Sequence, residues 1–215
     1  MQKRRTGGYR VTTVGGEDVR AFVPHPLPPS RPPLAVEGAL AERVRAAEQA
    51  VGRLDLAGEM VPSLDWFLYA FVRKEAVLTS QIEGTQATLM DLLEYEARSR
   101  GDRAVPPNAD VEEICNYLQA LNHVRARLAD PSAPPLSMRL LNEAHRILLG
   151  GARGADKRPG EVRSTQNWIG GSRPGNAAFV PPPPDALPDL LAHLELYLHG
   201  DDNLPAVVRT GLLHF

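Results

Sequence analysis

The stretch from Ser63 to Glu83 constrains the fold of this chain more than any other. Leu64, Phe67, Leu68, Phe71, Leu78 and Ile82 recur at three-and-four spacing, which predicts one amphipathic helix over about 63–83. Gly84 ends it, since glycine is the usual residue just past a helix C-terminus. Thr88, with Asp91 three residues on, then has the form of a capping box opening a further helix through Leu89, Leu92, Leu93 and Tyr95. Glu83 is thereby placed in a last turn, where an exposed carboxylate faces the negative end of the helix dipole at a cost of roughly 0.3–1 kcal/mol. A local rule broken without visible compensation marks a position held for function. A second reading makes Ser80 and Glu83 a capping box of their own. The apolar period running unbroken through Ser80 weighs against it, as does the glycine that would then fall inside a first turn.

The remaining periodicity is also helical. A proline-rich arm, Pro24 to Pro33, leads into a helix from about Glu37 to Leu56 with Leu40, Val44, Ala47, Val51 and Leu54 on one side. Arg98 to Asn108 is a polar loop. Asp110 to Leu121 forms a helix whose apolar positions, Val111, Ile114, Tyr117, Leu118 and Leu121, make a core face, and Pro131 to Pro135 marks its end. Ser137 caps a helix carrying Leu140, Leu141, Ala144 and Leu148, stopped by Gly150 and Gly151. Leu187 to His199 and Leu204 to Phe215 give two more.

Composition narrows the function classes. Among 215 residues, 24 basic and 26 acidic side chains leave a net charge of −2, so there is no global bias toward nucleic acid. Met1 to Arg10 holds Lys3, Arg4, Arg5 and Arg10 with no apolar run behind them, the pattern of a flexible basic tail over 1–23 and not of a secretory signal. No stretch approaches the ~20 apolar residues of a membrane span, and the expected compartment is the cytoplasm. Cys115 is the only cysteine, which excludes an intrachain disulfide and a cysteine metal cluster; on its helix it is expected as a small hydrophobe.

Three stretches carry a family likeness. Thr79-Ser80-Gln81-Ile82-Glu83-Gly84 fits (S/T)xxxE(G/N), and resembles the inhibitory motif of Fic family adenylyltransferases placed N-terminal to the catalytic domain. Arg158-Pro159-Gly160-Glu161-Val162-Arg163 leads into Gln166-Asn167-Trp168-Ile169-Gly170-Gly171, then Asn176-Ala177-Ala178-Phe179-Val180 and four prolines. By itself this is a hairpin with a long Gly, Ser, Arg, Pro, Asn connection; its lettering is similar to the Fic flap, from the PGxxR entry through NWIGG to FVPPPP. Asp110 to Leu121 resembles the segment joining the N-terminal helices to the Fic domain.

The resemblance implies a mainly α fold, a Fic-like helical bundle with one β-hairpin flap and an incomplete catalytic core. It implies a helical region over 24–108 with the inhibitory motif and the start of the Fic domain over 109–215. It also implies an activity, transfer of AMP from ATP, with Mg²⁺, to a Ser, Thr or Tyr hydroxyl of a target protein. Glu83, with Thr79, Ser80 and Gly84, would inhibit by competing for the arginine that holds the γ-phosphate. Gln166 to Gly171 would hold the target by strand addition, which needs only main-chain groups on an open edge.

In Fic enzymes the flap leads to a helix reading AxxHxxFxxIHPF and a loop HPFxxGNGR, whose histidine is the general base. Gly211-Leu212-Leu213-His214-Phe215 matches the start of that helix, and the sequence stops there. His214 aligns with the earlier histidine, so no catalytic residue is assigned, and AMP transfer by these residues alone is not expected. Leu140, Leu141, Leu190, Leu194, Leu212 and Leu213 are expected to form an uncovered apolar patch that favours self-association. The competing reading is a catalytically inactive interaction module from a shortened Fic gene. The DNA following the Phe215 codon separates the two.

No metal site is assigned. His25, His123, His145, His193, His199 and His214 lack metal-ligand spacing, and His145 is expected to pack or cap. Gly150 to Lys157 is glycine-rich but lacks the order of a phosphate loop.

Overall fold

The computed structural model describes residues 5–99, 108–151 and 155–214, with the backbone alone described for Leu64, Asp65, Phe67 and Ser99. The fold is mainly helical. Its strands are β1 (Gly7–Val14) and β2 (Glu17–Pro24), and its helices are α1 (Gly38–Glu59), α2 (Leu64–Ile82), α3 (Leu89–Ser99), α4 (Ala109–Ala129), α5 (Met138–Leu148), α6 (Leu187–His199) and α7 (Ala206–His214). Contacts divide these into two compact units, 55–161 and the pair of segments 1–54 and 162–215. Among the described residues no helix is long and apolar enough to cross a membrane.

The unit 55–161 is built from helix ends that the sequence specifies locally. The Ser63 side chain accepts from the N–H of Trp66, Asn108 from that of Val111 and Ser137 from that of Leu140, so α2, α4 and α5 each start on a side-chain cap. Asp91 and Thr88 close a reciprocal box at the start of α3. Leu92 and Ile114, both fully buried, centre the core, with Ala76, Val77, Ala87, Val111 and Leu118 around them; burying a side chain of that size stabilises by roughly 1.5–3 kcal/mol. Cys115 is half-buried beside this core, and burial raises its thiol above the ordinary value, with the Glu96 charge adding to the effect.

The buried face of α2 is not the one its periodicity suggests. Val72, Ala76 and Val77 meet the core, while Phe71, Leu78 and Ile82 are exposed, Ile82 to 84%. Two apolar rows run along this helix, and α3 and α4 cover the row of smaller side chains. Leu64 and Phe67, assigned to the same face as Ile82, lie outside the described side chains. Leu140, counted in an exposed patch, is buried, and of its companions Leu141 is exposed while Leu190, Leu194, Leu212 and Leu213 are half-buried.

In the unit formed by 1–54 and 162–215, the residues expected as a basic tail form the β1–β2 hairpin, paired in register from Gly7↔Pro24 to Val14↔Glu17. Gly15 and Gly16, both at positive φ (60° and 84°), make the two-residue turn that a right-twisted hairpin needs. Thr12 and Val14 share the inner face with the buried Val19 and Ala21, while Val11 and Thr13 are exposed on the other, and this alternation outweighs the basic charge. Residues 1–4, which hold Lys3 and Arg4 of that tail, lie outside the described residues, as do 100–107 of the expected loop, 152–154 of the glycine-rich run and Phe215. A small core of Val19, Ala21 and Val180 sits under the hairpin. The Arg209 guanidinium donates to the Tyr197 carbonyl at 2.9 Å, tying α7 to α6.

Candidate functional site

The first candidate is the end of α2. The Glu83 N–H donates to the Thr79 carbonyl (3.3 Å), Gly84 to Gln81 (3.1 Å) and Thr85 to Ser80 (3.1 Å), so Thr79 and Ser80 lie in the last turn and Glu83 is the C-cap. Gly84 then turns the chain at φ 102°, a value an L side chain adopts only under strain. With Ser80 carrying a C-terminal carbonyl, this is a helix end and not a start. The Thr79 hydroxyl donates to Glu75 (3.0 Å), and Gln81 reaches past the turn to the Ala87 carbonyl (3.0 Å). The Gln86 N–H is held by Asp110 (2.7 Å), which anchors the turn to α4.

Within this turn every acid but one has a fixed partner. The Glu83 side chain is exposed and, among the described residues, no donor or cation lies within bonding distance of its carboxylate. An exposed acid at the negative helix end, with its backbone fixed on both sides, is available to a cation brought to it.

The second candidate is the 158–180 segment. The expected hairpin is reduced to one β-bridge, Ile169↔Phe179. The Ile169 N–H donates to the Phe179 carbonyl (2.8 Å), and the Phe179 and Ala178 N–H groups return to Ile169 (3.1 and 2.9 Å). Between them, Asn176 accepts from the N–H groups of Ser172 and Arg173 and so rounds off the connection. Gln166 is half-buried, its amide donating to the Pro181 carbonyl (2.9 Å), while Arg163 binds the Pro182 carbonyl and that of Thr165 (2.9 Å). Partial burial lowers the Arg163 guanidinium below its ordinary value. These bonds fasten the proline exit to the strand-like entry. Asn167, Gly170 and Gly171 are exposed, and Trp168 and Ile169 present 40% and 64% of their surface to solvent. The arrangement leaves a hydrogen-bonded loop with open main-chain groups.

His145 has a structural partner, its Nδ1 accepting from the Gly160 N–H at 2.9 Å. A cluster that sequence spacing did not indicate joins α2 to α3. Arg73 binds both oxygens of Glu96 at 2.7–3.0 Å, lies 3.3 Å over the Tyr69 ring, and shares Glu96 with the Tyr69 hydroxyl (2.6 Å). Burial opposes the Arg73 charge, but the Glu96 hydrogen bonds and charge prevail and raise its pKa. Nothing local in the sequence links residues 73 and 96, so only packing reveals this pair.

Residues 41–126 match the family model described as Fic/DOC family N-terminal. The matched stretch takes in α2, α3 and the turn between them, with the Thr79 to Gly84 motif inside it. No curated protein matches the chain.

Proposed function

Starting from a Fic family protein whose family N-terminal region spans residues 41–126, we propose that this chain is the N-terminal part of a protein adenylyltransferase, holding its inhibitory glutamate and its target-docking flap. The intact protein would transfer AMP from ATP to a Ser, Thr or Tyr hydroxyl of a target protein. The observation that carries this reading is Glu83: an exposed carboxylate with no partner among the described residues, at a helix C-terminus inside the matched region.

The role of each part follows from its chemistry. Phosphoryl and nucleotidyl transfer depend on positioning and on neutralising charge at the phosphates. A carboxylate that takes the arginine meant for the γ-phosphate blocks both at once. Thr79, Ser80 and Gly84 fix where that carboxylate stands. Gln166 to Gly171 offer main-chain groups to an extended target segment, which would hold its hydroxyl in line.

In this reading Mg²⁺ and ATP belong to the intact protein, and none of the residues above is named to hold them. Among the described residues no group of three His, Cys, Asp or Glu is gathered.

The test is labelling with radioactive ATP and Mg²⁺ of the protein carried on through an HPFxxGNGR loop, beside its Glu83→Gly variant. Faster labelling by the folded variant supports the reading; equal or slower labelling rejects it. A second reading, the inactive interaction module, draws on the exposed Phe71, Leu78 and Ile82 of α2. It would be favoured if the extended protein labels nothing with or without Glu83.

A further inference from the structure

The segment read as a docking flap does not stand alone. Its exit strand is paired on both sides. Phe179 turns its N–H and C=O toward Ile169, and the next residue, Val180, turns its carbonyl the opposite way, where it accepts from the Phe22 N–H of β2 at 2.8 Å. This is the two-residue alternation of an extended strand. Main-chain bonds therefore run in the order β1, β2, 179–180, 169, with β1–β2 the two-stranded sheet and single bonds or a bridge beyond it.

Four further contacts support that order. Val180 shares a core with Val19 and Ala21, the last fully buried. The rings of Phe22 and Phe179 lie 6.1 Å apart. At the two ends, Glu17 in β2 pairs with Arg173 in the flap connection, and Arg10 in β1 pairs with Asp185 after the proline exit.

We propose that the β1–β2 hairpin is the positioning element of the flap. It closes the 179–180 edge and leaves Trp168 and Gly170 as the edge to which an extended partner segment adds. The inference rests on the reading of 158–180 as the docking segment. Its physical basis is that an edge strand pairs with whatever extended chain reaches it. With β2 already bonded at Val180, a partner can add only beside Trp168 and Gly170, whose main-chain groups have no partner among the described residues. An isolated bridge at Ile169 would be marginal alone, and the hairpin behind it supplies the missing strands.

Residue-resolved amide hydrogen exchange on the full chain tests this without ATP or a target, so its outcome is independent of whether AMP transfer is found. In the wild type, the Ile169, Ala178 and Phe179 amides should exchange slowly and those of Trp168 and Gly170 fast. Phe22→Ala, which removes the ring packed against Phe179 and keeps the main-chain N–H, should speed the three slow amides about fivefold, the factor set by losing one aromatic contact, while the Val77 and Ile114 amides keep their wild-type rates. Because Phe22→Ala also loosens the hairpin, the exposed pair gives a milder variant. Glu17→Arg alone should speed the flap amides about twofold, as expected for a surface ion pair, and adding Arg173→Glu should restore them. Rescue by the swapped pair is a result that general loss of stability does not give. Unchanged flap exchange in Phe22→Ala, failure of the swap to restore the rates, or slow exchange at Trp168 and Gly170 would each overturn the proposal.

Discussion

Glu83 at the end of α2 and the acids of α3 stand on either side of one turn, and their carboxylates are used in opposite ways. Asp91 accepts from both the N–H and the hydroxyl of Thr88, and Glu96 holds Arg73 and Tyr69. Each of these stabilises the helix that carries it. Glu83 sits at the wrong end of a dipole with its side chain in solvent, and its removal leaves the helix end no worse. An acid that contributes nothing to its own fold is one whose use lies elsewhere. The difference therefore separates a structural carboxylate from a candidate regulatory one.

The comparison breaks most sharply at Glu96. The pair with Arg73 is about four-fifths shielded on both sides, between the ~0–1 kcal/mol of exposed pairs and the ~3–5 kcal/mol lost when a buried pair is broken. Glu96→Ala should lower the unfolding free energy by about 2–3 kcal/mol, measured by urea denaturation. A loss below about 1 kcal/mol would mean that solvent already screens the pair.

Glu83→Gly should move stability by less than about 0.5 kcal/mol. In a protein extended through the catalytic loop it should raise AMP transfer about ten- to a hundredfold, the factor that corresponds to releasing one charge-assisted pair of ~1.5–3 kcal/mol. Glu83→Gln should fall between, since it keeps the bulk and loses the charge. Autoradiography at fixed ATP reads the rates, and circular dichroism confirms the fold.

A smaller effect is expected at Thr88. Replacing a capping threonine by alanine costs ~1 kcal/mol, so Thr88→Ala should lower the melting temperature by a few degrees, whereas Ser80→Ala, inside the last turn of α2, should leave it nearly unchanged. Equal losses at the two positions would revive Ser80 and Glu83 as a helix start.

The smallest effect is the pH dependence. The Thr88 side-chain bond first, and its backbone bond second, hold the Asp91 carboxyl below its ordinary value of 3.8. With the folded value depressed, the contribution is present above the unfolded value and is lost as pH falls through the folded one. Acid denaturation should therefore show a component below about pH 4 that Asp91→Asn removes.

How far the sequence carries depends on the reach of each interaction. Ser63, Thr88 with Asp91, Asn108 and Ser137 bond to groups within three residues along the chain. Such helix boundaries are legible because both partners lie in one short window. The hairpin at 7–24 was legible as well, through Gly15-Gly16 between alternating strands, but the basic residues before it carry the opposite message. The lettering of the 158–180 segment predicts a hairpin, yet it promised more strand than the Ile169↔Phe179 bridge provides.

What the sequence determined by itself is the set of helix starts and stops, including the one that places Glu83 at a C-cap before a glycine at positive φ. Local hydrogen bonds and backbone sterics decide these, and they need no partner from elsewhere. Only the tertiary structure decided which of two apolar rows on α2 is covered, that Arg73 and Glu96 meet, and that the Phe22 N–H of β2 bonds the Val180 carbonyl. Each of those depends on surfaces brought together from distant segments, and burial and pairing energies exist only once both surfaces are present.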